Sequence, residues 1–161
     1  MKLVKKLLAG GLLSTVILAN SVLSVGACRC PDNCNYEDIY KSVWLNNGSS
    51  TEIYYGEKNN SHSVYFQFCS DCTAETVRVS VYGISHNSSA QPNETYSRFG
   101  KVDYVTVHNA QTVQIYNKIN EHGYQTAGLK VKNSGSSGGV NFNWSPDYCQ
   151  GYDGGNTPVA S

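Results

Sequence analysis

Six cysteines, four histidines and a set of tyrosines are the side chains in this sequence with chemistry to offer. The cysteines fall in three groups: Cys28, Cys30 and Cys34; then Cys69-Ser70-Asp71-Cys72; then Cys149 alone. Two cysteines separated by two residues have the spacing of a thiol–disulfide redox motif, whose first thiol is activated at a helix N-terminus. Here the pair follows strand-like sequence and encloses the acidic Asp71, which argues against that activation. The two clusters together also have spacing that zinc could use. An even number of cysteines in an exported chain more commonly means disulfides. The expectation is therefore a disulfide framework of Cys28, Cys30, Cys34, Cys69, Cys72 and Cys149, with no metal and no cofactor. Cys28 and Cys30 are too close in the chain to bridge each other without strain. The preferred pairing joins members of the N-terminal trio to Cys69, Cys72 and Cys149. Local Cys30–Cys34 and Cys69–Cys72 bridges are the alternative.

His62, His86, His108 and His122 all fall at expected strand ends or loops. Two of them, or one with a carboxylate, could serve as acid and base in a small hydrolase or as metal ligands. No HExxH pattern occurs and no GxSxG elbow surrounds any serine, so no catalytic residue is assigned. The acids add little. Glu37 and Asp38 are adjacent and would point apart on a strand, and Asp153-Gly154-Gly155-Asn156 matches no calcium-loop pattern.

The most suggestive feature is compositional: twelve tyrosines, with Trp44 and Trp144, among many Asn, Ser and Gly residues. An exposed tyrosine offers a flat apolar face and a hydroxyl, which suits sugar rings and protein partners. Tyr54, Tyr65, Tyr82 and Tyr104 are the candidate binding residues on this ground. The plainer reading is that tyrosine favours strands.

The elements that must position these groups are strands. Val64, Phe66 and Phe68 alternate with polar or aromatic neighbours, as do Val77, Val79 and Val81, then Ala127, Leu129 and Val131, then Val140, Phe142 and Trp144. Period-two patterns of this kind place one face in a core and the other in water. Further candidates are 39–45, 52–55, 102–108 and 112–117, giving about eight strands. Residues 36–44 could instead form a helical turn or two, although Ile39, Lys41, Val43 and Leu45 share a strand face. The breaks are turn-rich, and His108-Asn109-Ala110-Gln111 reads as a tight hairpin. Connections this short leave no room for helical crossovers, so pairing is antiparallel. The expected fold is an all-β, antiparallel β-sandwich stapled by disulfides, with the tail after Cys149 loose.

The compartment comes from the first residues. Lys2, Lys5 and Lys6 precede an apolar run from Leu7 to Leu23, which ends at Val25-Gly26-Ala27. Charged head, apolar core and small-residue exit are the parts of a signal peptide. Residues 1–27 are thus expected to be a signal and 28–161 a single secreted domain with no membrane span. Val25-Gly26-Ala27-Cys28 also resembles a bacterial lipobox, which would lipidate Cys28, anchor the chain to a membrane and leave an odd thiol. Three of the twelve basic residues lie in the leader, leaving nine against twelve acids, a mature charge of −3. No dense cluster of Lys or Arg follows, so nucleic acid is not an expected partner.

The closing run Ala127-Gly128-Leu129-Lys130-Val131, a Gly/Ser turn, and Val140 to Trp144-Ser145-Pro146-Asp147 resembles the end of some small secreted bacterial proteins of unknown function. The resemblance implies an exported β-fold and carries no active site with it. The expectation from the whole sequence is a secreted, non-catalytic binding protein of a bacterial envelope or its surroundings, with protein or carbohydrate as partner. A small secreted hydrolase using loop histidines is the second reading, and an exported toxin or antimicrobial factor the third.

Overall fold

A computed structural model describes residues 35, 37–85, 91–149 and 157–161. The expected leader, the cysteine trio Cys28, Cys30 and Cys34, and His86 lie outside these residues. Among the described residues ten strands form, all but the smallest from the alternating segments: β1 (Ile39–Leu45), β2 (Tyr54–Glu57), β3 (Val64–Phe68), β4 (Thr76–Ile84), β5 (Tyr96–Ser97), β6 (Gly100–Lys101), β7 (Val105–His108), β8 (Thr112–Ile115), β9 (Thr126–Asn133) and β10 (Gly138–Ser145). They build two four-stranded sheets, ordered β1-β10-β3-β8 and β2-β9-β4-β7, and a two-stranded β5-β6 hairpin. Every pairing between strands is antiparallel. Among the described residues, no helix is long and apolar enough to cross a membrane.

The inward faces of the two large sheets share one apolar cluster. Val64, Phe66, Phe68, Phe142 and Trp144 enter it from the first sheet, and Val77, Val79, Val81, Leu129 and Val131 from the second. Phe66 and Phe142 pack with ring centroids 5.3 Å apart, and Tyr54 leans on Phe142 at 5.9 Å. These are the alternating positions expected to face inward, so the all-β, antiparallel, two-layer architecture follows from burying them together.

Several local expectations come out differently. Residues 39–45 are an edge strand rather than a helical turn, with Tyr40, Ser42 and Trp44 outward and Leu45 buried. The His108–Gln111 segment is a tight turn, with Ala110 at φ 64° and Gln111 N–H bonded to His108 O at 3.0 Å. It is not a hairpin, because β7 pairs with β4 while β8 pairs with β3. The turn carries the chain from one sheet to the other. Gln111 Oε1 accepts from His108 N–H at 2.9 Å, and Gln111 O accepts from Phe68 N–H at 2.8 Å, so the turn's polar groups are used where strand partners would otherwise be. The β5–β6 hairpin was not expected from alternation, its strands being too short to show any. The tail is not wholly loose either. Val159 makes a parallel bridge with Gln114, Gln114 N–H bonds Pro158 O at 2.8 Å, and Ala160 joins the core, which covers the open edge of β8.

Candidate functional site

A cleft of about 730 Å³ opens where the β2–β3 loop, the β5–β6 hairpin, the end of β8 and Tyr148 meet. Each wall is held by hydrogen bonds, some within a turn and most between segments distant in the chain. On the hairpin side, Asn93 Oδ1 takes the Thr95 N–H at 2.7 Å, and Thr95 Oγ1 takes the Val81 N–H at 2.7 Å, tying the hairpin's base to β4. Tyr96 N–H then bonds Tyr116 O at 2.8 Å, docking β5 against the chain leaving β8. On the opposite side, buried Asn117 reaches His62 O at 3.2 Å and accepts from Ile119 N–H at 3.3 Å. Tyr148 N–H bonds Ser63 O at 2.6 Å.

Beneath the β2–β3 loop lies a buried ion pair. The Lys58 ammonium bonds Asp147 Oδ1 and His62 O, and both charged side chains are fully buried. Asp147 Oδ2 accepts from Asn35 N–H at 2.9 Å and Asn59 N–H at 3.1 Å, so the carboxylate is satisfied on both oxygens. A paired and hydrogen-bonded charge is the form in which ions persist in an interior. The pair pins the loop that presents Ser61, His62 and Ser63 to the cleft.

The lining mixes rings, cations and neutral polar groups. Tyr96, Tyr116 and Tyr148 supply aromatic surface, Arg98 and Lys118 positive charge, and Glu121 the one acid on the lining. The Lys118 ammonium stands 5.3 Å from the Tyr96 ring centroid and Lys101 stands 5.8 Å from it, so two cations flank one ring. Lys101 is also drawn toward the buried Glu94, at 3.6 Å, whose other oxygen lies 3.1 Å from His122 Nδ1. Chemically, such a cleft can stack a flat or ring-shaped group and neutralise an acidic one.

The residues singled out in the sequence are spread more widely. Tyr54 is half-buried against the core with the Lys41 ammonium 4.9 Å over its ring. Tyr65 is buried, Tyr82 half-buried on the outer face of β4, and Tyr104 exposed with the Arg78 guanidinium 4.4 Å over its ring. The fold does not bring these four together, and none of them lines the cleft. Tyr96 and Tyr148 were missed. The signal for the first was present in Tyr96-Ser97-Arg98-Phe99-Gly100-Lys101, an interleaving of aromatic and basic residues that forms the hairpin.

Of the described histidines, one reaches the cleft. His62 lines it, whereas His108 is bonded to Thr76 Oγ1 at 3.1 Å and His122 to Glu94, neither being on the lining. Among the described residues, no three His, Cys, Asp or Glu side chains converge as metal ligands.

Cys69 and Cys72 are free thiols, which corrects the expectation that both are bridged. The seat of Cys72 is made by a distant strand. The chain turns at Ser70-Asp71 after β3, and Cys72 Sγ seats against the backbone of Asn141 on β10, 3.0 Å from its N–H and 3.2 Å from its carbonyl. Burial first, and then the Asp71 carboxylate, hold the Cys69 thiol above the ordinary thiol range. Burial also raises Cys72, against the opposing hydrogen bond from Asn141. Since the thiolate is the nucleophile, iodoacetamide at pH 7 should label both several-fold more slowly than free cysteine. Mass-resolved labelling of the native protein tests this, and labelling as fast as free cysteine would mean an activated thiol.

The match to a protein family extends beyond the cleft. A model for proteins of unknown function (DUF2712) matches residues 26–148, which takes in all ten strands and every lining residue of the cleft. The chain belongs to the DUF2712 family. The DUF2712 match ends at Tyr148, so Cys149 and the edge segment 157–161 lie beyond it. No curated protein matches the chain. Membership in DUF2712 thus agrees with the resemblance to proteins of unknown function and adds no activity to it.

Proposed function

We propose that this DUF2712 protein is an exported, non-catalytic binding protein of a bacterial envelope or its surroundings, with its ligand seat in the cleft beside the β5–β6 hairpin. The observation that carries the reading is the lining itself: three tyrosine rings, two cations, one acid and His62 around about 730 Å³. Pockets with aromatic walls and a few fixed polar groups are the usual form of a small-ligand site. The ligand class that fits is a carbohydrate or short peptide bearing an acidic group, which Arg98 and Lys118 would neutralise. Secretion is part of the same reading, by the charged head, apolar run and small-residue exit of residues 1–27. A lipid on Cys28 is the variant in which the protein stays at the membrane. One staple also belongs here: Cys149, buried and disulfide-bonded, with a partner sought among Cys28, Cys30 and Cys34.

A glycan and peptide array with the mature chain, followed by titration calorimetry of any hit, tests the proposal. Tyr96→Ala and Arg98→Ala should each weaken binding by roughly tenfold or more, since truncating an aromatic or Arg anchor commonly costs about 2 kcal/mol. Equal affinity in both variants, or hydrolysis of the ligand during titration, would overturn it.

A further inference from the structure

The outer faces of the two large sheets differ in kind. On the second sheet, outward positions carry Arg78, Lys130, Lys132 and Glu57, the ordinary charged dressing of a solvent face. On the first sheet, the outward positions are Tyr40, Ser42 and Trp44 of β1, alternate residues from Gly139 to Ser145 of β10, Tyr65 and Gln67 of β3, and Thr112 and Gln114 of β8. None of them is charged. A soluble protein normally scatters Lys, Arg, Asp and Glu over roughly a quarter or more of its surface, so a charge-free sheet face is a departure that needs a reason.

Its open half has a definite composition. Trp44 is 70% and Tyr40 56% exposed. They lie on the same face of one strand, four residues and so about 13 Å apart. In register beside them stand Asn143 opposite Tyr40 and Asn141 opposite Ser42, with Gln67 next to Asn143. The polar groups are partly spent on one another. Ser42 O–H donates to Asn141 Oδ1 at 2.7 Å, and Asn143 Nδ2 donates to Gln67 Oε1 at 3.0 Å. What remains, among the described residues, is a row of amide donors at Asn141 Nδ2 and Gln67 Nε2 and an acceptor at Asn143 Oδ1. Because the amides hold each other in place, the row is rigid before anything binds.

We infer that this face, from Tyr40 to Trp44 and across to Gln67, is a second binding site, and that it takes a neutral polysaccharide chain. A sugar hydroxyl both donates and accepts, so it can use the amide donors and the acceptor alike. The rings at either end give the apolar faces of two separated sugar units something to stack on. An ionic ligand finds no counter-charge here and would lose hydration without return. The occupant is therefore extended and uncharged, in contrast to the acidic ligand proposed for the cleft.

Native affinity electrophoresis of the mature chain in gels containing starch, hydroxyethyl cellulose, galactomannan or laminarin tests the inference, with polygalacturonate as the anionic control. At least one neutral polymer should retard the protein. Trp44→Ala and Tyr40→Ala should each weaken that retardation tenfold or more, while Tyr96→Ala in the cleft leaves it unchanged. Both exposed rings can be removed without opening the core, and matched thermal melts confirm folding. The inference is overturned by retardation in none of the four neutral polymers, by equal retardation of Trp44→Ala, or by retardation in polygalacturonate alone. It is also overturned if the face serves a second copy of the chain, seen as a dimer in sedimentation that Trp44→Ala dissociates. Failure of the array experiment for the cleft would leave this result standing, and the reverse holds too.

Discussion

Replacing Asp147 with alanine should lower unfolding free energy by about 3–5 kcal/mol, the usual cost of removing one partner from a buried ion pair. The carboxylate is fully buried and receives the Lys58 ammonium on one oxygen and the Asn35 and Asn59 N–H groups on the other. Taking it away leaves a buried cation without its anion and two backbone donors without an acceptor, each expensive in a medium of low dielectric. Urea denaturation followed by tryptophan fluorescence measures the loss. A change below about 1 kcal/mol would mean that water enters the site and screens the pair. The double variant Lys58→Met with Asp147→Leu should recover much of the loss, because an apolar pair avoids the desolvation penalty. It should stay below the parent, since Asn35 and Asn59 still lack their acceptor. The same substitution bears on function. Lys58 also holds His62 O, so Asp147→Ala should loosen the loop that carries Ser61 to Ser63 and weaken ligand binding in the cleft.

Trp144→Ala should cost a similar amount, about 3–5 kcal/mol, as expected for deleting a large aromatic from a close-packed core. Trp144 is fully buried, pairs in register with Ile39 and Phe66, and reaches across the interior toward the second sheet. Its reach is visible at Gly56 on β2, where an added Cβ would lie 2.3 Å from Pro146 Cγ and 3.2 Å from Trp144 Cη2. The indole, Pro146 and the bare backbone of Gly56 are therefore one fitted contact between the layers. Gly56→Ala should destabilise by about 1–3 kcal/mol through overpacking. Trp144→Ala should partly relieve that clash, so the double variant should be less damaged than the two single losses added together. Strict additivity in thermal or urea unfolding would show that the indole does not share the contact.

The alternation of Val77, Val79 and Val81, and of Val140, Phe142 and Trp144, was readable because it reports a property of single strands: which side chains face inward. The hairpin expected at His108–Gln111 failed for the complementary reason. A tight turn reports only that the chain reverses, and the sheet each arm joins depends on partners far away in sequence, here β4 for one arm and β3 for the other. The cleft was illegible on the same grounds. Ser61, Tyr96, Asn117 and Tyr148 are strangers in the chain, and their meeting rests on the Tyr96–Tyr116 bridge and the Tyr148–Ser63 hydrogen bond. The tyrosines selected by composition were dispersed for want of any rule telling which of twelve rings would stay exposed.

By itself, then, the sequence determined the strand content, the inward and outward phase of the long strands, and the expectation of a core filled by Phe142 and Trp144. These are local matters, settled by side-chain period and turn chemistry within a few residues. Only the tertiary structure decided that Cys69 and Cys72 stay free while Cys72 seats on Asn141, that Lys58 and Asp147 neutralise each other in the interior, and that Tyr96, Arg98 and Tyr148 line one cleft. Each of these depends on a contact between distant segments, and contact energy is decided by packing and desolvation at the meeting point, which no local pattern encodes.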